Sequence, residues 1–158
     1  IQSIIERSNA RLIFKYGESD ASDLFIPPHL FDLDECDKND SLMEDEIFGP
    51  LLPIRSIDSL DEAIEILSEV EKPLAMYMFT RNEEAVEEFL SRTRSGAVTI
   101  NDVVLHITGK FSFFASQFSN FTCLVDTLPF GGVGNSGFGS YHGKFGFEQF
   151  SHKRAVLK

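Results

Sequence analysis

The chain has no tryptophan and only two cysteines, Cys36 and Cys123. Two thiols without a Cys-x-x-Cys or paired-histidine spacing exclude a disulfide framework and a structural zinc site, and fit a reducing intracellular setting. Basic residues are also scarce. Lys and Arg number 14 against 25 Asp and Glu, a net charge of −11 over 158 residues, which argues against a phosphate backbone or an anionic membrane as the main partner. No stretch reaches the roughly 18 consecutive apolar residues of a membrane span. The nearest, Phe111 to Val125, is broken by Ser112, Ser116, Gln117, Ser119 and Asn120. The first residues, Ile1-Gln-Ser-Ile-Ile-Glu-Arg, carry neither a basic-then-apolar leader pattern nor an initiator Met, and read as a sequence entered in its middle. There is no internal repeat at the periods that mark solenoids.

What is present is a globular composition, 42% hydrophobic and 25% charged, with enough length for one packed core or a piece of a larger one. Arg11 to Tyr16 reads as a strand closed by Gly17. Leu24 to Phe31 is extended, and Pro27 and Pro28 place it at a sheet edge or in a connection. Ser59 precedes Leu60, Ala63, Ile64 and Leu67 at helical spacing, with Glu62 three residues beyond it, so the pattern predicts a capped amphipathic helix ending before Pro73. A buried strand is expected over Leu74 to Phe79. A second helix follows, capped by Asn82 and with Ala85, Val86, Phe89 and Leu90 on one face. Ser95-Gly96 ends it, and Ala97 to Ile100 forms another strand. This alternation is the rhythm of an α/β fold with a helix-covered parallel sheet. After Asn101 it stops, and the chain becomes rich in Phe, Ser and Gly.

Two local motifs have competing readings. Gly132-Val-Gly134-Asn-Ser-Gly137 has dinucleotide-loop spacing, but no acidic residue follows at about 20 positions, which favours a structural glycine turn. Glu44-Asp-Glu46-Ile-Phe48-Gly-Pro50 is either an acidic helix start or turn stopping at Pro50, or a carboxylate for a sugar diol beside an aromatic face for a planar ring. The spacing leaves both open.

Glu-Ile-Phe-Gly-Pro, Glu-Lys-Pro-Leu-Ala-Met-Tyr at 71–77, Ser-Gly-Ala-Val-Thr-Ile-Asn-Asp-Val at 95–103, Pro-Phe-Gly-Gly-Val-Gly-Asn-Ser-Gly from Pro129, Ser-Tyr-His-Gly-Lys and Phe-Ser-His follow one another in this order. In that series the sequence resembles the aldehyde dehydrogenase superfamily, in its class 3 and fatty-aldehyde branch. The resemblance covers nearly the whole chain and corresponds to the C-terminal third or so of such a protein. It implies the C-terminal part of a catalytic domain at 1–149, with a parallel sheet covered by helices on both faces, and an oligomerisation strand at 150–158 through which a homodimer pairs. It also implies an NAD or NADP cofactor, an aldehyde substrate and a cytoplasmic setting. Glu46 matches the glutamate on the nicotinamide ribose and Phe48 the aromatic beside the nicotinamide ring. Val104, Ile107, Thr108 and Phe130 match positions near the substrate tunnel, while His106, His142 and His152 match signature positions read as structural.

The family's nucleophilic cysteine and general-base glutamate would precede Ile1, so the isolated chain is expected to be inactive. Neither cysteine replaces them. Cys36 sits among acids that would raise a thiol pKa, and Cys123 lies in a segment the family lacks. The alternative is a truncated, non-catalytic subunit that pairs with intact enzyme and regulates it. The one departure from the family's spacing is Gly109 to Thr127. Gly109-Lys-Phe111 and Leu124-Val125 can be back-translated to a splice donor and acceptor, and removing what lies between restores the family's text. Residues 109–125 are therefore expected to be a translated intron.

Overall fold

A computed structural model describes residues 1–36, 39–103 and 128–157. Val104, His106, Ile107, Thr108, Cys123 and the 109–125 segment lie outside the described residues. The described chain forms two compact units, one over Ile1–Asp58 and one from Ser59 onward.

The first unit contains α1 (Gln2–Arg7), β1 (Arg11–Lys15), β2 (His29–Asp32) and β3 (Leu51–Ile54). Its sheet has the order β1-β2-β3. β1 runs antiparallel to β2, with Arg11 opposite Asp32, and β2 runs parallel to β3, with His29 opposite Leu51. The sheet of this unit is therefore mixed, where the resemblance implied a parallel one. β2 is central among the described strands, so of the two placements expected for this segment the sheet edge does not hold and the extended connection does. Pro27 and Pro28 lie in the extended connection before its first ladder residue, where a missing N–H interrupts nothing. His29, Phe31 and Leu33 point inward at strand period. Phe31, Leu33, Leu42 and Leu51 make the core, and Ile4 and Ile5 of α1 pack on it. The sequence reading did not anticipate α1. Six residues without a capping side chain are too few for a stable isolated helix, so burial of its isoleucines against the core sustains it.

The second unit contains α2 (Leu60–Glu69), β4 (Ala75–Met78), α3 (Glu83–Arg92), β5 (Ala97–Ile100) and α4 (Gly143–Gln149). β4 and β5 pair in parallel, Ala75 opposite Ala97. The Ser59 hydroxyl accepts from Glu62 N at 3.2 Å, and Asn82 Oδ1 accepts from Glu84 N at 3.0 Å and Ala85 N at 3.2 Å, so both expected caps form. Ile64 of α2, Met76 of β4 and Phe89 of α3 are buried together. Tyr77 and Phe79 are exposed, so β4 buries one face here, not the two expected. Substituting Ser59→Ala should cost about 1 kcal/mol. A thermal melt followed by circular dichroism checks this, and an unchanged midpoint would count against the cap.

The regular structure does not stop at Asn101. α4 forms despite Gly143 and Gly146, which have low helix propensity. Its first turn is held by the His142 carbonyl, which accepts from Phe145 N at 3.0 Å and Gly146 N at 3.3 Å. Residues 151–157 have neither helix nor strand. The strand expected there is one between subunits, and such a segment becomes a strand only against an edge that accepts its hydrogen bonds.

Candidate functional site

In the first unit, Ile47 packs against the core cluster, and its neighbours Glu46 and Phe48 both stand out to solvent, Phe48 at 85% exposure. Phe48 has φ 45°, a backbone state costly for a residue with a Cβ. The segment is irregular and leads through Pro50 into β3, whose pairing begins where His29 N donates to Pro50 O at 2.9 Å. A turn ending at Pro50 is therefore present, and a helix start is not. Of the acids here, Glu44 is held by Arg7 at 2.8 Å. Glu46 has no ion-pair partner among the described residues, which leaves its carboxylate an exposed acceptor two positions before the exposed Phe48.

The loop before this segment is organised by Asp40, which the sequence analysis did not single out. Its carboxylate is buried, 5% exposed. It accepts from Ser8 Oγ at 2.8 Å, Asn9 N at 2.9 Å and Leu42 N at 3.0 Å. Burial alone would raise its pKa. The backbone donors Leu42 and Asn9, the Ser8 hydroxyl and the Arg7 charge together hold it below the ordinary aspartate value. The available signal was the Asp40-to-Leu42 spacing, at which an aspartate side chain bonds the backbone two residues on.

In the second unit, Phe130 and Tyr141 form a two-way backbone bridge, Phe130 N to Tyr141 O at 3.0 Å and Tyr141 N to Phe130 O at 2.9 Å. The glycine motif fills the loop between them. Ser136 Oγ accepts from Val133 N and donates to Val133 O, both at 2.9 Å, and a single 3-10 turn spans Gly134–Ser136. No α-helix opens at the motif, and the loop bonds to itself, which fits a structural turn and not a phosphate cradle. Gly131 and Gly132 lie directly on Gly96 at the start of β5. That contact sets Phe130 on the body of the unit. Phe130 also stacks on His142 at 5.7 Å and meets Tyr141 edge-on at 5.4 Å.

At the carboxyl ends of β4 and β5 a cleft of about 540 Å³ opens between Thr80–Glu83, Val86 and Asn101, the end of a parallel sheet at which ligands ordinarily bind. Asn101 shapes it. With φ 58°, its Oδ1 accepts from Thr80 N and its Nδ2 donates to Thr80 O, both at 2.8 Å. The sequence reading quoted Asn101 within a motif without assigning this role. Asparagine's tolerance of positive φ was the signal that could have found it.

No group of three or more metal-ligating side chains occurs among the described residues, and no helix among them is long and apolar enough to cross a membrane. Of the sequence-selected positions, Glu46 and Phe48 share one unit and Phe130 lies in the other.

Comparison with known proteins places these features in context. The sequence model of the aldehyde dehydrogenase family matches residues 1–156. The chain is 42% identical over 156 residues to the mouse (Mus musculus) "Aldehyde dehydrogenase, dimeric NADP-preferring", covering 99% of this chain and 30% of that protein. It is 43% identical over 141 residues to mouse "Aldehyde dehydrogenase family 3 member A2", covering 89% of this chain and 25% of that one. Among solved structures, the substrate-bound state of Staphylococcus aureus AldH superposes with a TM-score of 0.75 at 34% identity, covering 99% of this chain and 31% of that one. The chain thus spans less than a third of the length of each of these relatives.

Proposed function

Because the chain belongs to the aldehyde dehydrogenase family, we propose that it forms the C-terminal part of an NAD(P)-dependent enzyme oxidising fatty aldehydes to carboxylic acids. The observation that carries this reading is the pair Glu46 and Phe48, exposed on either side of the anchored Ile47, with no ion-pair partner for the carboxylate among the described residues. An acceptor for two ribose hydroxyls beside a face for a planar ring is what a nicotinamide nucleotide requires. The fit of these residues to the cofactor is good. Bound NAD(P)+ would supply the hydride acceptor. The chain's own part is to orient it, with Glu46 holding the ribose and Phe48 packing beside the nicotinamide.

Phe130, with Val104, Ile107 and Thr108, is assigned to the wall of the aldehyde tunnel. A preference for NADP is supported by the mouse relative's name. Neither cysteine is assigned as nucleophile. Cys36 is half-buried, its Sγ 3.8 Å from the Asp32 carbonyl oxygen, so the 158-residue chain by itself should give no aldehyde-dependent reduction of NAD(P)+.

In the longest natural polypeptide carrying this sequence, Glu46→Gln should weaken NAD(P)+ binding about 10- to 100-fold, the worth of hydrogen bonds to a charged acceptor. Fluorescence titration of the cofactor measures this, and an unchanged Kd would remove Glu46 from the site.

A second reading is supported by residues 151–157, which form neither helix nor ladder among the described residues, and by the exposed Phe150, Val156 and Leu157. In it, 150–158 pairs with a second subunit, as a homodimer or as a non-catalytic regulator of intact enzyme in the cytoplasm. Co-purification with full-length dehydrogenase supports the regulatory form, and recovery as monomer alone removes it. Reading the transcript across 109–125 tests the proposed intron, which a uniformly unspliced message would refute.

A further inference from the structure

We propose that His142 is a positioning residue that fixes the plane of the Phe130 ring and thereby sets which aldehyde side chains pass it. This rests on the assignment of Phe130 to the tunnel wall. Tyr141 lies opposite Phe130 in the backbone bridge, so strand alternation would send the next side chain to the other face. His142 instead has φ 91°. That state favours glycine and is unfavourable for any residue with a Cβ, and it brings the imidazole back onto the face that Tyr141 already occupies. Both rings then hold Phe130: His142 lies nearly parallel to it at 5.7 Å and 22°, Tyr141 crosses it at 81°, and the two clamping rings meet each other at 4.7 Å and 85°.

Among the described residues polar chemistry does not account for the ring's place at its buried edge, because Nδ1 is buried there with no hydrogen-bond partner. The His142 carbonyl does anchor the backbone, accepting from Phe145 N at 3.0 Å and Gly146 N at 3.3 Å at the start of α4. Any residue type would supply that carbonyl. A strained backbone and a buried nitrogen without a partner among the described residues accompany a flat ring on Phe130.

The test uses His142→Gly, which relieves the backbone while deleting the ring, and His142→Phe, which keeps a flat ring without Nδ1. In the longest natural polypeptide carrying the sequence, His142→Gly should shift the ratio of kcat/KM between a straight-chain and an aromatic aldehyde about ten-fold. KM for NAD(P)+ should stay unchanged, and His142→Phe should restore the ratio. Equal loss on both aldehydes, or no restoration by Phe, overturns the proposal. Phe130→Ala separates the two layers. If it leaves the ratio unaltered, the tunnel assignment falls and this inference with it. If it shifts the ratio and His142→Gly does not, only this inference falls. Activity is not the sole readout. In the 158-residue chain, NMR cross-peaks between the Phe130 and His142 ring protons should be present and should vanish in His142→Gly, and their absence from the unaltered chain also overturns it.

Discussion

Gly96→Ala should destabilise the second unit by about 3 kcal/mol or more, beyond what an ordinary surface substitution costs. An added Cβ would fall well inside contact distance of Gly131 O, 2.6 Å from Leu74 O and 3.0 Å from the Gly132 Cα. All three are backbone atoms and cannot rotate away. Leu74 O is already engaged by Ala97 N at 2.9 Å, and Gly96 N donates to Pro73 O at 3.1 Å, so yielding at Leu74 disturbs the entry to the β4–β5 ladder. Yielding at Gly131 displaces the turn that carries Phe130. Denaturant unfolding followed by circular dichroism measures the loss. Gly134→Ala is the comparison, since an added Cβ there meets nothing within 4 Å and only the φ of 62° is unfavourable. It should cost about 1 kcal/mol. Equal effects of the two substitutions would show that the turn is not packed on Gly96.

The second large effect is expected at Asp40. In Asp40→Asn, one of the two oxygens that serve Ser8, Asn9 and Leu42 becomes an amide donor facing another donor inside the protein. The expected cost is about 3 kcal/mol, from losing charged hydrogen bonds and leaving a buried N–H unpaired. The pH dependence has a definite sign. The folded-state pKa is held below the ordinary value, so the stabilisation is complete above the unfolded pKa of about 4 and is lost as pH falls through the lower folded value. Wild type and Asp40→Asn should therefore differ by a constant amount near neutrality and converge on acidification. Asp20, Asp32 and Glu18 are also held low, but they titrate in both proteins, so the difference isolates Asp40. A gap unchanged below pH 4 would refute its charge as the cause.

These two sites show where sequence reading stops. The caps at Ser59 and Asn82, both amphipathic helices and strands β4 and β5 were legible because each depends on residues within a few positions of one another. Glu46 and Phe48 were legible as a motif with two meanings. What decided their display was Ile47, whose burial depends on Phe31, Leu33, Leu42 and Leu51. Of Asp40 only the local bond to Leu42 N had a signal in the sequence, since its other two donors lie over 30 residues away at Ser8 and Asn9. α1 was missed because six uncapped residues give little signal and its packing partners are distant, and α4 because Gly143 and Gly146 have low helix propensity.

By itself the sequence determined the α/β class, the local elements and the family, because periodicity, capping and ordered motifs are properties of neighbouring residues. Only the tertiary structure decided that β2 is central in a mixed sheet, that Gly96 must be bare, that Asp40 is a buried acceptor, and that His142 turns back onto Phe130. Each of these is a contact between distant residues or a backbone state imposed by such a contact, and residue type and spacing do not encode it locally.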